Sequence, residues 1–266
     1  MRILRSTQHV IVSVLSGLCI LAAAFPVLSA EQDSEEWSYL VVGSLFAESI
    51  DGTSGVGTPL GAMDVDVDLS FSDVIDNLDS AFSAIFNARK GRWSLNADVL
   101  IAKLEVDNTI TSTPVPANMN VEIDIDEIEL YAGYKFTQKY PNLEAIGGAR
   151  YIKQDIDVDV IEGPVELNVD VGDDWIDPFV GLRYYGPINS EWSLLVRGDV
   201  GGFDVGSDFA WRFDAGVTYR FAQNWVAAFT YKVLDIDYEN NNRDDLDYYK
   251  WDGKESGLLL GIGYHF

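Results

Sequence analysis

Cysteine is almost missing from this sequence. There is one, Cys19, in 266 residues. It lies in an N-terminal stretch with the features of an export leader, so a processed chain would carry none. That excludes disulfide staples, cysteine-ligated zinc and a thiol nucleophile. Histidine is scarce too, with only His9 and His265. Basic residues are few: 18 Lys and Arg stand against 43 Asp and Glu, a net charge of −25. A nucleic-acid binder needs a basic footprint that this chain lacks. Long apolar runs are absent as well. The most apolar stretch, Val10 to Ala24, has 15 residues, short of the roughly 20 of a membrane helix. Aromatic residues, by contrast, make up 12% and hydrophobic residues 47%, enough apolar surface to exclude disorder.

Residues 1–30 read as a signal peptide, leaving 31–266 as one domain. Arg2 and Arg5 form a basic start, Val10 to Ala24 the apolar segment, Pro26 a break, and Val27-Leu28-Ser29-Ala30 a small-residue cleavage site before Glu31. The alternatives are an uncleaved anchor and a lipoprotein signal at Cys19. Bulky Leu18 stands where a lipoprotein signal wants a small residue.

The remainder alternates with period two. In Phe209–Phe221 the odd positions are apolar, while Arg212, Asp214 and Arg220 lie among the even ones. Several strands open on Trp after a turn or chain start (Trp37, Trp93, Trp192, Trp225). Strands of the opposite sense close on aromatics, at Phe136, Phe221 and Phe266. Aromatic side chains gathered at one end of nearly every strand form the interfacial girdle expected of a transmembrane barrel. From that rim the same face stays apolar for about nine residues, the length a tilted barrel strand needs to cross hydrocarbon. It then turns acidic: Trp93, Leu95, Ala97, Val99 and Ile101 are followed by Lys103, Glu105 and Asp107.

The opposite face inverts the pattern. Near the Trp rim it carries Arg89, Asp98, Glu129, Arg150, Asp177, Arg183, Arg197, Asp199, Arg212, Asp214, Arg220 and Lys232. Farther along it carries Leu100, Leu104, Ile123, Ile125, Ile152, Ile156, Leu234 and Ile236. This predicts an all-β, antiparallel up-and-down barrel whose lumen is ionic within the membrane and apolar above it. Ten strands are expected, at 36–48, 79–90, 92–107, 121–136, 142–161, 165–186, 191–203, 208–221, 224–238 and 256–266; eight is the alternative. An even number places both termini at one rim. Between the first two strands, Ser70 and Asp73 resemble a capping box, and Phe71, Val74, Ile75 and Leu78 fall at helical spacing. A short helix in the first extracellular loop is expected to plug the upper lumen with these four; the alternative lays it outside on the loops.

The chain ends with Leu258, Leu260, Ile262, Tyr264 and Phe266 at alternate positions. This resembles the C-terminal signal by which Gram-negative outer-membrane proteins engage the barrel-assembly machinery. The segment Arg197 to Trp211, continuing through Ala215 to Phe221, resembles small outer-membrane β-barrel proteins of proteobacteria. That likeness covers about residues 175–266 and extends to the first half only as pattern. It implies a fold and an outer-membrane location, and no settled activity.

No catalytic group is expected. His265 is penultimate, at the rim opposite the loops, and no Ser lies in a nucleophile elbow. No cofactor is implied. Asp155, Asp157, Asp159 and Asp170 are weak candidates for exchangeable divalent cations bridging lipopolysaccharide, although their spacing is that of a strand and not of a coordinating loop. The inward Arg and Asp residues read as a closed, mutually paired network, the alternative being a selective conduit. Two functions compete: a monomeric structural or surface-interaction barrel without catalysis, and a carrier or narrow channel for a small hydrophobic ligand. The discriminator is whether the apolar upper lumen is filled.

Overall fold

A computed structural model describes residues 36–57, 61–110, 117–137, 140–162, 165–240, 243 and 247–266. The signal peptide expected at residues 1–30 lies outside the described residues. The chain forms β1 (Ser38–Val56), β2 (Met63–Leu69), α1 (Phe71–Asn77), β3 (Leu78–Lys90), β4 (Trp93–Ile110), β5 (Ala117–Thr137) and β6 (Tyr140–Glu162). Then follow β7 (Val165–Pro187), β8 (Trp192–Gly202), β9 (Phe209–Arg220), β10 (Trp225–Glu239) and β11 (Tyr249–His265). Each strand pairs antiparallel with its neighbour, and β11 returns to β1 from Leu40↔His265 to Val56↔Tyr249, closing the barrel.

Eleven strand segments occupy ten positions. β1 pairs with β3 at Ser38–Ser44 and with β2 at Ile50–Val56. The helix α1 therefore interrupts a single wall position, with β3 below it and β2 above. Ser70 caps it: its Oγ accepts from the Asp73 N–H at 3.3 Å, and Asp73 accepts from the Ser70 N–H at 3.0 Å. The first wall strand thus runs eight residues beyond the expected end at 48, and the last begins at Tyr249 instead of 256. Both extensions use the same pairing, because β1 and β11 support each other over their full upper length.

Outside, the period-two pattern puts Trp37, Trp93, Trp192, Trp225, Phe136, Phe221 and Phe266 on the exposed surface. Cross-strand contacts order this rim: Trp93 on Tyr134 at 4.7 Å, Trp192 on Tyr219 at 4.8 Å, Trp225 on Tyr264 at 4.9 Å and Tyr39 on Phe266 at 5.4 Å. Above it Leu95, Leu130, Leu182, Phe229, Leu260 and Ile262 form an exposed apolar belt. Such a belt on a closed barrel faces lipid.

Candidate functional site

Inside, the side chains stack in layers. Nearest the aromatic rim, Glu144 receives Arg183 (Nη2–Oε2 2.7 Å) and pairs with Arg89. Arg183 also donates to Asn96 Oδ1 at 2.8 Å and to the Tyr131 hydroxyl at 3.2 Å. The next layer centres on Glu129, which three guanidiniums share. Arg150 Nε lies 2.5 Å from Oε1, Arg212 Nη1 2.9 Å from Oε1, and Arg197 Nη1 2.8 Å from Oε2. Asp199 bridges Arg150 (2.9 Å) and Arg197 (2.7 Å), and Asp214 holds Arg212 at 2.9 Å. Asp98 lies 3.4 Å from Arg197. The Arg197 guanidinium also lies over the Tyr131 and Phe179 rings, at 4.7 and 5.1 Å.

The third layer holds Lys232 and Glu127, 2.6 Å apart, with buried Glu48 and Glu255 beside them. A cavity of about 30 Å³ lies here, lined among others by Asp98, Glu127, Arg212, Lys232 and Leu259. That is room for water and not for a ligand, since one water needs at least about 10–15 Å³ on this measure. Above it the lumen turns apolar. Ile50, Val74, Leu104, Ile125, Ile152, Trp175, Ala210, Leu234, Ile236, Tyr238, Tyr249 and Trp251 make one buried cluster. Trp175 stacks on Tyr238 with 4.0 Å between centroids and 8° between planes. Tyr238 Oη donates to Asp173 at 2.9 Å, and Tyr249 Oη to Gln154 at 2.9 Å. Side chains of the strands, joined by Val74 of α1, occupy the upper storey.

The structure brings most of the expected lumen residues together and separates others. Arg220 is exposed, at the end of β9 where the wall stops and water solvates it. Asp177 is fully buried but serves the β8–β9 turn, accepting from the Ser207 N–H at 2.7 Å and Oγ at 2.8 Å. Its register partner Arg150 is already taken by Glu129 and Asp199. The helix is not a plug. Val74 joins the core cluster and Leu78 packs against it, whereas Phe71 and Ile75 are exposed. Because α1 replaces a piece of wall, only one stripe of a seven-residue helix can face inward.

Sequence reasoning missed Glu48, Glu127, Glu144 and Glu255. Glu127 could have been found, since it lies two residues before Glu129 on one face. Glu48 stood at the expected end of a strand and Glu255 in an expected loop, where no alternation could assign a side.

The acidic candidates Asp155, Asp157, Asp159 and Asp170 lie on the outward extensions of β6 and β7. Asp157 is opposite Asp170 and Glu122, and Asp155 opposite Asp124. Lysines interrupt the ladder: Lys153 pairs with Asp155 and Lys103 with Glu122. Among the described residues no group of three or more His, Cys, Asp or Glu could hold a metal ion.

Partial desolvation, reinforced by Asp170, Glu122 and Asp155, raises the Asp157 carboxyl above its ordinary 3.8. A carboxyl raised in the folded state contributes stability fully below its unfolded-state value, and that contribution is lost as pH rises through the folded-state value. Asp157→Asn, which is neutral at every pH, should therefore stabilise the protein at pH 7. The gain should be below about 1 kcal/mol, because the site is exposed. It should shrink as pH falls and vanish below 3.8, where the carboxyl is protonated in both states. Paired urea midpoints of variant and parent at several pH values check this.

No protein-family model and no curated protein matches the chain. Solved structures do. The outer membrane protease OmpT from Escherichia coli superposes with a TM-score of 0.54 at 9% identity, over 89% of this chain and 99% of that one. The translocator domain of the autotransporter NalP from Neisseria meningitidis gives 0.48 at 12%, over 86% and 88%. Ail, the attachment invasion locus protein of Yersinia pestis, gives 0.38 at 8%, over 86% and 98%. The chain therefore has the fold of a Gram-negative outer-membrane β-barrel, with a buried salt-bridge network in its lumen.

Proposed function

We propose that this protein is exported to a bacterial outer membrane and works there as a closed, non-catalytic monomer. Its acidic strand extensions above the membrane form the working surface, against lipopolysaccharide and other surface partners. The observation that carries this reading is the double obstruction of the lumen. An arginine–carboxylate layer fills the span, and an aromatic and aliphatic layer fills the storey above it. A filled storey also argues against the carrier for a small hydrophobic ligand, which would need a cavity of about 300 Å³ or more. Leu258, Leu260 and Ile262 lie on the outer face of β11 and Phe266 is exposed just beyond its end, where the barrel-assembly machinery could read them.

OmpT is a protease by name, so catalysis on this fold needs a direct answer. A hydrolase of this kind needs a general base in reach of an accessible substrate. The one described histidine, His265, ends β11 at the aromatic rim, where its backbone N–H donates to the Asn224 carbonyl at 2.8 Å and fixes the chain end there. The storey at the other end is apolar. Incubation with casein and with phospholipid should give no turnover.

Single-channel recording on the refolded protein in planar bilayers tests the closed lumen. We expect no stable open level. A reproducible, solute-selective conductance would overturn the proposal.

A further inference from the structure

The wall of the barrel is uneven. β8 and β9 have 11 and 12 residues, against 23 in each of β6 and β7. The β8–β9 turn, residues 203–208, ends the wall early, and there the acidic collar is interrupted. On β10 the outward residues in register with Trp211 and Phe209 are Asp235 and Asp237. β9 presents aromatic rings in that place. The turn adds Phe203 and Val205, and Val205 at 71% is the most exposed of the large hydrophobic side chains described.

This exposure is held in place by local structure. Phe203 and Asp204 have φ of 56° and 58°, in the left-handed region, directly after Gly202 at 83°. A bulky residue there costs about 1–2 kcal/mol. Asn-Gly would make such a turn without strain. The turn is pinned to β7 by the buried Asp177 and Ser207 pair. Gly206 fits only without a side chain, since a Cβ there would come within 2.5 Å of the Ile176 carbonyl oxygen. A turn facing water gains nothing from holding Phe203 and Val205 outward in this way.

We propose that the β8–β9 turn is a membrane wedge: Phe203, Val205 and Phe209 insert among the acyl chains of the outer leaflet. The occupant is a lipid surface because the patch continues the lipid-facing belt without a break. Val200 lies opposite Trp211 in register, Phe213 lies two residues along the same face, and Val200 and Phe213 are exposed. Asp204 and Asp208, both exposed, mark the headgroup level. The barrel then sits with its low wall sunk into the leaflet and the long β5–β7 side raised. This rests on the membrane-spanning reading above.

The test uses a nitroxide at Val205→Cys, in a background with Cys19→Ala, in phosphatidylcholine–phosphatidylglycerol vesicles. Phe213→Cys and Asp237→Cys carry the same label as belt and collar references. We expect the label at 205 to match that at 213: accessible to oxygen, and several-fold less accessible to an aqueous nickel chelate than the label at 237. If 205 is as open to nickel as 237 while 213 stays shielded, the wedge is wrong and the spanning reading stands. If 205 and 213 are both open to nickel, the spanning reading fails and the wedge with it.

Discussion

Replacing Glu129 with Gln is expected to lower the unfolding free energy by about 3–5 kcal/mol, the usual cost of breaking a buried charge cluster by removing one partner. Glu129 is 1% exposed and accepts from Arg150, Arg197 and Arg212 together. Gln is nearly isosteric, so the loss is electrostatic and not one of volume. One of its two terminal atoms becomes a donor facing guanidinium donors. The three arginines keep Asp199 and Asp214, which limits the damage but leaves the cluster one buried negative charge short. The reference is Asp155→Asn, whose partner Lys153 is exposed on the outer face; it should cost less than about 1 kcal/mol. Guanidinium titration of both variants in the same lipid checks the contrast. A Glu129→Gln loss no larger than that of Asp155→Asn would mean the lumen is wet enough to screen the cluster.

Trp175→Ala should cost a similar amount, about 3–5 kcal/mol, by a different route. The Trp175 ring is 5% exposed and stacked on Tyr238. Removing it leaves a cavity in the upper storey, and large-to-small changes in a packed core lose both transfer energy and contacts. The strands bordering the space belong to a closed barrel, so they cannot collapse into it freely. The variant should still show no conductance, because the arginine layer lies below the new cavity and an apolar cavity of that kind stays dry. Stability and channel recording on one sample therefore separate the two obstructions. A conducting Trp175→Ala barrel would show that the apolar storey alone closes the lumen.

Much of this architecture was legible in the sequence, for a reason particular to barrels. A membrane-spanning strand meets lipid on one side and lumen on the other, so each residue's side follows from parity alone. Parity alone assigns Leu95, Leu130 and Phe229 outward and Arg150, Arg197 and Arg212 inward. Legibility fell where parity had no anchor. Glu255 lay in an expected loop, and the top of β1 looked like loop because Gly52 and Gly55 dilute the alternation, whereas Asp64 to Leu69, which becomes most of β2, does alternate like a strand extension. The stripe Phe71, Val74, Ile75, Leu78 correctly indicated a helix. It could not say which residues would face the lumen, because that depends on whether the helix lies inside the barrel or in its wall.

The same division holds for the ionic lumen. The sequence alone determined that acids and bases alternate inward on consecutive strands, since burying them unpaired would be too costly. It also determined that the acid excess lies beyond the apolar belt at one end, because charges within the belt would face hydrocarbon. Only the tertiary structure decided which carboxylate serves which arginine. Glu129 collects three guanidiniums from β6, β8 and β9, Glu144 serves Arg89 and Arg183, and Asp177 leaves the network for Ser207. Partners across the lumen are fixed by the closure and stagger of the barrel, which no single strand encodes.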